Sequence, residues 1–322
     1  MKALSCSAPQ ESKLGPELYS NYTKPLGNLM TILAICYHCY ADDTQMYKSV
    51  NPKDYAAQQS CKSYMENCVQ QISGWMLSNR LQLNQEKTEF IVFASRFTSR
   101  HIQVDSLQLT NSVIQRSDVV RNLGVHLDYQ LNMKRHVHET RKTCFYYMKW
   151  IWSIRSMLTM EATKYLVHAL IISRLDYCNA ILCDLPNTVI RELQSVQNAA
   201  ARLIVCCPRD SSITPILKQL HWLPISHRIQ YKVLCLTYKG QNGLAPEYIK
   251  DMLCSYAPIR RLRSSDQKLL TVPSTNLAYG KRSFSVAAPR LWNSLPLSIR
   301  TCDTYNVFRK NLKTHLFQCA YM

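Results

Sequence analysis

The sequence predicts an α+β protein in which a mixed amino-terminal part is followed by a helical and basic remainder. Short aromatic and β-branched runs alternate with helical patterns as far as residue 130, whereas apolar residues recur at helical spacing over long segments beyond residue 132. The balance of basic and acidic residues also changes near residue 130. Residues 131–322 contain 27 Lys and Arg against 10 Asp and Glu, and residues 1–130 are nearly balanced. These patterns predict three parts, 1–130, 131–208 and 209–322.

The first strand pattern predicts a β-hairpin over residues 32–50 with two aspartates at its tip. An apolar run ends at Tyr40, and Asp42 and Asp43 precede a short alternation of polar and apolar residues. Two adjacent carboxylates at such a tip can share a divalent cation. An Asp-Asp pair alone is more often a solvated turn, so its meaning depends on the segments around it.

A helix and then several short strands are expected after the hairpin. Apolar residues at helical spacing predict a helix over residues 54–78. Aromatic and β-branched residues predict a strand around Phe90 and Val92. Further short strands are expected to about Leu127, with a turn at Thr110-Asn111.

The second part is predicted to begin with three helices. Cys144 and Met148 belong to the apolar stripe of the first. Thr159 is placed to cap the amino terminus of the second, and Asn187 to cap the third. Pro208 is expected to end the third helix.

The last part is predicted to be mostly helical, with a basic irregular stretch over residues 256–288. Helices are expected near residues 226–240 and 304–318. Trp222 and Trp292 each lie among Leu and Pro residues, which favours core packing over base stacking. His221, which has no matching partner, is expected to be structural.

Composition excludes several classes of function. Seven glycines leave little room for a phosphate-binding loop, which argues against a P-loop or dinucleotide enzyme. No apolar run approaches the roughly 18 residues of a membrane helix, and no signal peptide is evident. Fourteen cysteines without a regular framework indicate reduced thiols in the nucleus or cytoplasm. Cys36 and Cys39 have a zinc-like spacing, but no second pair accompanies them, so zinc is disfavoured.

The hairpin tetrapeptide Tyr40-Ala41-Asp42-Asp43 resembles the catalytic tetrapeptide of reverse transcriptases. Its extension through Thr44 and Gln45 is similar to the non-LTR, LINE-type retrotransposon polymerases of the CR1, L2 and jockey-like group. Other segments match that family in order along nearly the whole chain. They are Pro9–Pro16, Tyr22–Gly27, Trp75–Asn84, Lys87–Glu89, Asn122–Val125, Ser173–Asn179, Leu220–Pro224 and Pro289–Pro296.

The resemblance implies a reverse-transcriptase palm, made of an antiparallel sheet with helices, then a helical thumb and a basic carboxy-terminal unit. The implied reaction is RNA-directed DNA synthesis by nucleotidyl transfer with Mg²⁺ as cofactor and RNA and DNA as partners. No membrane and no small-molecule cofactor is expected. Asp42 and Asp43 would hold the metal, and Lys87 would neutralise or protonate the leaving group, although a solvated lysine is an equal alternative. Residues implied to position primer and nucleotide are Tyr40, Gln10, Leu123 and Gly124.

Two departures from the family pattern predict that the chain alone is inactive. A reverse transcriptase of this kind has fingers and a palm strand with another metal-binding aspartate before the segment that starts here at Pro9, and the eight residues that precede Pro9 are expected to be too few to supply them. The family's glycine after Pro-Gln is Glu11, which adds bulk and negative charge beside a triphosphate. The first hypothesis is therefore a palm remnant with thumb and basic tail. A non-catalytic RNA- and DNA-binding protein and an unstable relic without a cellular role are the alternatives.

The basic second part supplies the predicted nucleic-acid contacts. An excess of Lys and Arg attracts a polyanion without selecting a base sequence. A generally basic, solvated surface is the alternative. The side chains expected to contact phosphates are Arg260, Arg261, Arg263, Lys281, Arg282 and Arg290.

Overall fold

A computed structural model describes residues 14–109, 112–208, 210–257 and 267–322. The chain divides into two compact units between Val120 and Arg121. The described residues form helices and small two-stranded sheets, which confirms the α+β prediction in its coarse form. The finer division at residues 130 and 208 stays a prediction.

The first unit begins with two helices and the aspartate hairpin. These elements are α1 (Gly15–Ile32), β1 (Cys36–Tyr40), β2 (Asp43–Tyr47) and α2 (Tyr55–Ser78). The predictions of the hairpin and of a helix over residues 54–78 are confirmed. Asp54 caps α2 by accepting a hydrogen bond from the Ala57 N–H at 2.9 Å, which satisfies one of the unpaired donors of the first turn.

A small core joins α1, α2 and the start of β1. Its buried hydrophobic members are Leu26, Met30, Ile35, Cys68 and Ile72. Two tyrosine hydroxyls cross between the helical segments and donate to backbone carbonyls, Tyr22 to Asn79 and Tyr64 to Leu33. These two hydrogen bonds add polar links between the helical segments that this small core joins.

Short strands follow, as the sequence predicts. They are β3 (Ser106–Gln108), β4 (Val113–Gln115), β5 (Val119–Asn122) and β6 (Val125–Asp128). β3 pairs with β4 antiparallel, and β5 lies beside β6. The predicted turn at Thr110 and Asn111 lies outside the described residues, although the Leu109 N–H donates to the Ser112 carbonyl across it.

The predicted strand around Phe90 and Val92 is wrong. Phe90 makes a single isolated bridge to Arg116, and no ladder continues from it. β-Propensity describes side chains that fit a half-buried sheet surface. Here the propensity is present, but beyond Phe90 no neighbouring backbone pairs with the segment.

The second unit is helical after β6. Its helices are α3 (Lys134–Ser153), α4 (Met160–Val167), α5 (Ser173–Asp176), α6 (Asn187–Val205), α7 (Ile213–Gln219), α8 (Ile225–Gln241), α9 (Glu247–Asp251), α10 (Ala278–Lys281), α11 (Phe284–Asn293), α12 (Leu297–Arg300) and α13 (Tyr305–Tyr321). A π-helical segment, His168–Ile172, continues α4 into α5. Among the described helices, none is both long enough and apolar enough to cross a membrane.

One hydrophobic core runs through most of the second unit. It includes residues of α3, α6 and α8, and it extends to Ala287 and Ala288 of α11. A second cluster surrounds Tyr238, Trp292 and Phe308. Residues on both sides of residue 208 therefore share buried side-chain packing.

The helix-end predictions have mixed outcomes. Thr159 caps α4 as predicted, because its Oγ1 accepts a hydrogen bond from the Ala162 N–H at 3.2 Å. The prediction for Asn187 is wrong: α6 begins at Asn187 itself, after Pro186, and the Asn187 side chain makes no cap. Pro186 occupies the cap position, so Asn187 falls inside the first turn. The helix ends at Val205, where Cys206 adopts a left-handed φ of 53°, before Pro208 is reached.

Candidate functional site

The two aspartates lie at the tip of a tight hairpin. Tyr40 pairs with Asp43, so Ala41 and Asp42 form a two-residue loop. Ala41 has a φ of 52°, which is the sign that a type II′ turn requires at its first loop residue. Glycine adopts this conformation without steric cost, whereas alanine is strained there. The sequence thus places a strained backbone position directly before the first carboxylate.

One face of the hairpin anchors it to the first unit, and the other face is open. Tyr37 and Met46 pair across the strands and pack against the core, and the Tyr37 hydroxyl donates to the Gly27 carbonyl at 3.1 Å. On the opposite face, the His38 and Tyr47 rings stack with centroids 5.6 Å apart. Because side chains alternate along a strand, Tyr40 and Asp43 belong to this open face.

Both carboxylates are exposed to solvent. Tyr19 of α1 lies close enough to sense the first of them: burial raises the pKa of the Tyr19 hydroxyl, and the Asp42 charge and then Cys39 raise it further. The tyrosine is a neighbour of the tip that the sequence analysis missed. An aromatic residue on a helix of the same unit carries no local signal that it will approach a hairpin.

The donor set at the tip is too small to complete a magnesium site. Mg²⁺ binds through carboxylates and waters in near-octahedral geometry. Within the described ranges, no group of three or more His, Cys, Asp or Glu side chains is arranged to hold a metal. Asp42 and Asp43 supply two carboxylates from one hairpin, and they do not by themselves fit the cofactor that the resemblance implies.

The zinc-like cysteine pair lies on the same hairpin. Cys36 and Cys39 are three positions apart on β1, which places them on opposite faces of the strand. The Cys39 Sγ lies 3.9 Å from the Thr44 Oγ1 across the hairpin. The two thiols therefore do not converge on a shared ligand position.

Lys87 ends a short 3₁₀ helix, Gln85–Lys87, after α2. Its backbone N–H donates to the Asn84 Oδ1 at 3.2 Å, and its side chain is exposed. Among the ion pairs of the described residues, none joins Lys87 to Asp42 or Asp43. Its predicted role at the leaving group stays a prediction.

The residues predicted to position primer and nucleotide fall in different places. Tyr40 is 67% exposed beside the carboxylates, and Gln10 lies outside the described residues. Leu123 and Gly124 form the β5–β6 turn, with φ angles of 44° and 80°. The Tyr177 hydroxyl donates to the Leu123 carbonyl at 2.6 Å. Tyr177 of the Ser173–Asn179 motif thus holds this turn.

The predicted phosphate-contacting cations differ in their surroundings. Arg260, Arg261 and Arg263 lie outside the described residues. Lys281 is exposed at the end of α10. Arg282 is half-buried, and burial lowers the pKa of its guanidinium although the Asp128 charge opposes that shift. Arg290 already pairs with Asp184 through its Nη2.

Motif residues of the second unit have clear packing roles. Trp222 and Trp292 are 5% and 1% exposed, so the prediction that they pack in the core is confirmed. The Trp292 Nε1–H donates to the Lys268 carbonyl at 2.8 Å. The Asn293 side-chain amide both accepts from the Leu270 N–H and donates to the Leu270 carbonyl, at 2.9 and 2.8 Å.

The second unit also contains an ion pair that joins two of its helices. Arg228 on α8 donates from Nε to the Asp176 Oδ1 at 2.8 Å and from Nη2 to Oδ2. The Asn179 amide donates to the same Oδ1 at 3.3 Å. Asp176 therefore has a structural partner, and the Ser173–Asn179 motif joins α5, α8 and the β5–β6 turn.

Comparison with known proteins finds two curated relatives, both from Drosophila melanogaster. The probable RNA-directed DNA polymerase from transposon BS is 24% identical over 272 residues, which are 81% of this chain and 29% of that protein. The RNA-directed DNA polymerase from mobile element jockey is 24% identical over 168 residues, which are 50% of this chain and 17% of that protein. The chain is related to the reverse transcriptases of non-LTR retrotransposons.

This relation confirms the resemblance inferred from the hairpin and its flanking motifs. No family model matches the chain, and no solved structure matches it. The chain spans less than a third of the length of each curated relative. The activity, substrates and partners of the relatives therefore enter below as proposals for this reverse-transcriptase relative.

Proposed function

We propose that this chain is the palm-hairpin, thumb and carboxy-terminal part of a non-LTR retrotransposon reverse transcriptase. The observation that carries the proposal is the exposed tip of β1–β2, where Asp42 lies in a two-residue loop and Asp43 follows on the open face. The hairpin is anchored through Tyr37 and Met46, so its carboxylates have a fixed base. The names of the two relatives support RNA-directed DNA synthesis as the family reaction.

The chain alone is inactive as a polymerase in this proposal. Both carboxylates come from one hairpin, whereas a metal ion that acts on a phosphate needs ligands that converge from several elements. An ångström of misplacement is expensive in such chemistry. Polymerisation would therefore require a further carboxylate that the described residues do not bring to the tip.

A primer-extension assay of the 322-residue chain with Mg²⁺ or Mn²⁺ tests this proposal. The expected result is no templated incorporation above the level of the Asp42→Ala variant. Mn²⁺ titration followed by electron paramagnetic resonance should show weak binding that is lost in the Asp42→Asn, Asp43→Asn double variant. Templated synthesis that Asp42→Ala abolishes would prove the chain active on its own.

The second candidate is non-catalytic binding of RNA and DNA by the second unit. The observation behind it is charge, since residues 121–322 contain 28 Lys and Arg against 11 Asp and Glu. An excess of exposed cations contacts phosphates without reading bases. Lys281 is among them, whereas Arg290 would have to leave Asp184 to take part.

A further inference from the structure

The outward face of α3 carries an alternation of cations and aromatic rings. Val137, Cys144, Met148 and Ile151 bury one side of this helix. The opposite side presents residues spaced by four, three and one positions, which helical geometry brings to one face. They are Lys142, Tyr146, Lys149 and Trp150, all exposed.

The two rings form an open aromatic platform. Tyr146 is 57% and Trp150 is 60% exposed, well above what a core aromatic would show. Their centroids lie 6.2 Å apart at an interplanar angle of 67°. Rings of this size are costly to leave in water, so a face that displays two of them indicates a partner that covers them.

Charge identifies the kind of partner. Within the described residues, neither Lys142 nor Lys149 has an ion-pair partner. The only acidic residue on α3 is Glu139, which pairs with Arg135 at 3.0 Å. The face is thus basic as well as aromatic, and a polyanion with flat apolar groups complements both properties.

We propose that this α3 face binds single-stranded nucleic acid, with bases stacked on Trp150 and Tyr146 and phosphates held by Lys142 and Lys149. Stacking on aromatic side chains needs exposed base faces, which a duplex keeps inside its own stack. Four residues along a helix span about 6 Å, so both rings can serve neighbouring nucleotides. The inference rests on the proposed nucleic-acid binding and adds a surface outside the predicted phosphate contacts.

The test measures binding of the full chain to a fluorescein-labelled oligothymidylate of about 16 nucleotides, a length at the upper end of known single-strand sites. Trp150→Ala should weaken this affinity roughly 5- to 150-fold, the range reported for loss of one stacked base. Trp150→Phe should retain most of it. A duplex of equal length should be affected much less by either change.

Trp152→Ala is the matched control for the ring. Trp152 is 64% exposed on the same helix, but it lies two positions from Trp150 and therefore points to a different side of the helix from the platform.

The charge test compares two double variants. One changes Lys142 and Lys149 to Gln, and the other changes Lys310 and Lys313, two exposed lysines of α13, to Gln. For the single strand, the slope of log affinity against log salt concentration should become shallower by about 1.4 in the first double variant. The second double variant should change this slope less.

The outcomes separate this inference from the proposed function. If Trp150→Ala and Trp152→Ala change the affinity for oligothymidylate equally, base stacking on the platform is disproved, while salt-sensitive binding by the second unit can still be correct. If the unaltered chain binds no nucleic acid, both this inference and the proposed nucleic-acid binding of the second unit fail. If Trp150→Ala instead abolishes self-association in sedimentation and leaves oligothymidylate binding unchanged, the face is a contact between copies of the chain and the inference is wrong.

Discussion

At the scale of single residues, strain and polar pairing explain positions that motif matching alone leaves unexplained. Ala41 carries a left-handed φ at the tip of the hairpin, and Asp176 is held by Arg228. Backbone strain often occurs where a fold presents functional groups. The first position lies directly before the predicted metal-binding carboxylates and the second joins two helices, and each can be tested by substitution.

Ala41→Gly should stabilise the first unit by up to about 1 kcal/mol, because glycine removes the steric cost of the left-handed conformation but loses some entropy on folding. Urea unfolding of both proteins measures the difference. Ala56→Gly makes the same chemical change on α2, in a right-handed helix, and should destabilise instead. A loss of stability in Ala41→Gly would contradict the turn assignment.

Asp176→Ala should lower the free energy of unfolding of the second unit by about 1–3 kcal/mol, because it leaves the guanidinium of Arg228 without its carboxylate. The Arg228 side chain is 17% exposed and the Asp176 side chain 42%, so solvent screens part of the effect. The control is Glu161→Ala, which removes an exposed pair with Lys164 and should cost less than about 1 kcal/mol. Equal effects in a denaturant titration would show that the Asp176 pair is a surface contact.

At the scale of elements, the two units differ in how much buried surface supports them. Among the described residues, the core beside the hairpin contains 5 buried hydrophobic residues, whereas the main core of the second unit contains 27. Local opening is easiest where few apolar contacts must be broken. The aspartate hairpin therefore belongs to the less protected part of the chain, and α3 and α6 to the more protected part.

Native-state hydrogen exchange should find fast amides in α1, β1 and β2 and slow amides in α3 and α6. The buried face of α6, including Leu193, Val196 and Ile204, should show the strongest protection. Mass spectrometry of peptic fragments resolves these segments. Comparable protection in the hairpin and in α6 would mean that polar links such as those of Tyr22 and Tyr64 stabilise the first unit far more than its small core indicates.

At the scale of the whole molecule, charge is divided unequally between the units. Residues 1–120 contain 11 Lys and Arg and 10 Asp and Glu, so nearly all of the net charge of +18 belongs to residues 121–322. A nucleic acid would thus be attracted mainly by the second unit. The hairpin carboxylates would contribute little to that attraction.

A plot of log affinity against log salt concentration should have a slope of roughly −4.5 for a DNA duplex and roughly −3.5 for a single strand, if about five phosphates are neutralised. Changing Arg260, Arg261 and Arg263 together to Ala should make this slope shallower and weaken all base sequences similarly, because phosphate contacts carry no base information. Asp42→Ala should leave binding nearly unchanged. Affinity that is absent, or that does not respond to salt, would show the basic excess to be a solvated surface.

The sequence by itself determined the relation to non-LTR reverse transcriptases, the hairpin, the long helices and the uneven charge. Each of these depends on local information: residue order in a motif, apolar spacing along one helix, or a count of charged groups. The failed predictions were also local. Phe90 has strand propensity but lacks a partner ladder, and Asn187 has capping chemistry but follows Pro186 into the first turn.

Only the tertiary structure decided which motif residues act through packing. Tyr177 holds the Leu123-Gly124 turn, and Asp176 pairs with Arg228. The indole N–H of Trp292 donates a hydrogen bond to the Lys268 carbonyl. The tertiary structure also decided that Tyr146 and Trp150 stay in solvent, whereas the burial of Trp222 was already predicted from its Leu and Pro neighbours. Spacing shows which side chains share a face of one element. Whether that face is covered depends on elements distant in sequence, whose approach is set by the shared core.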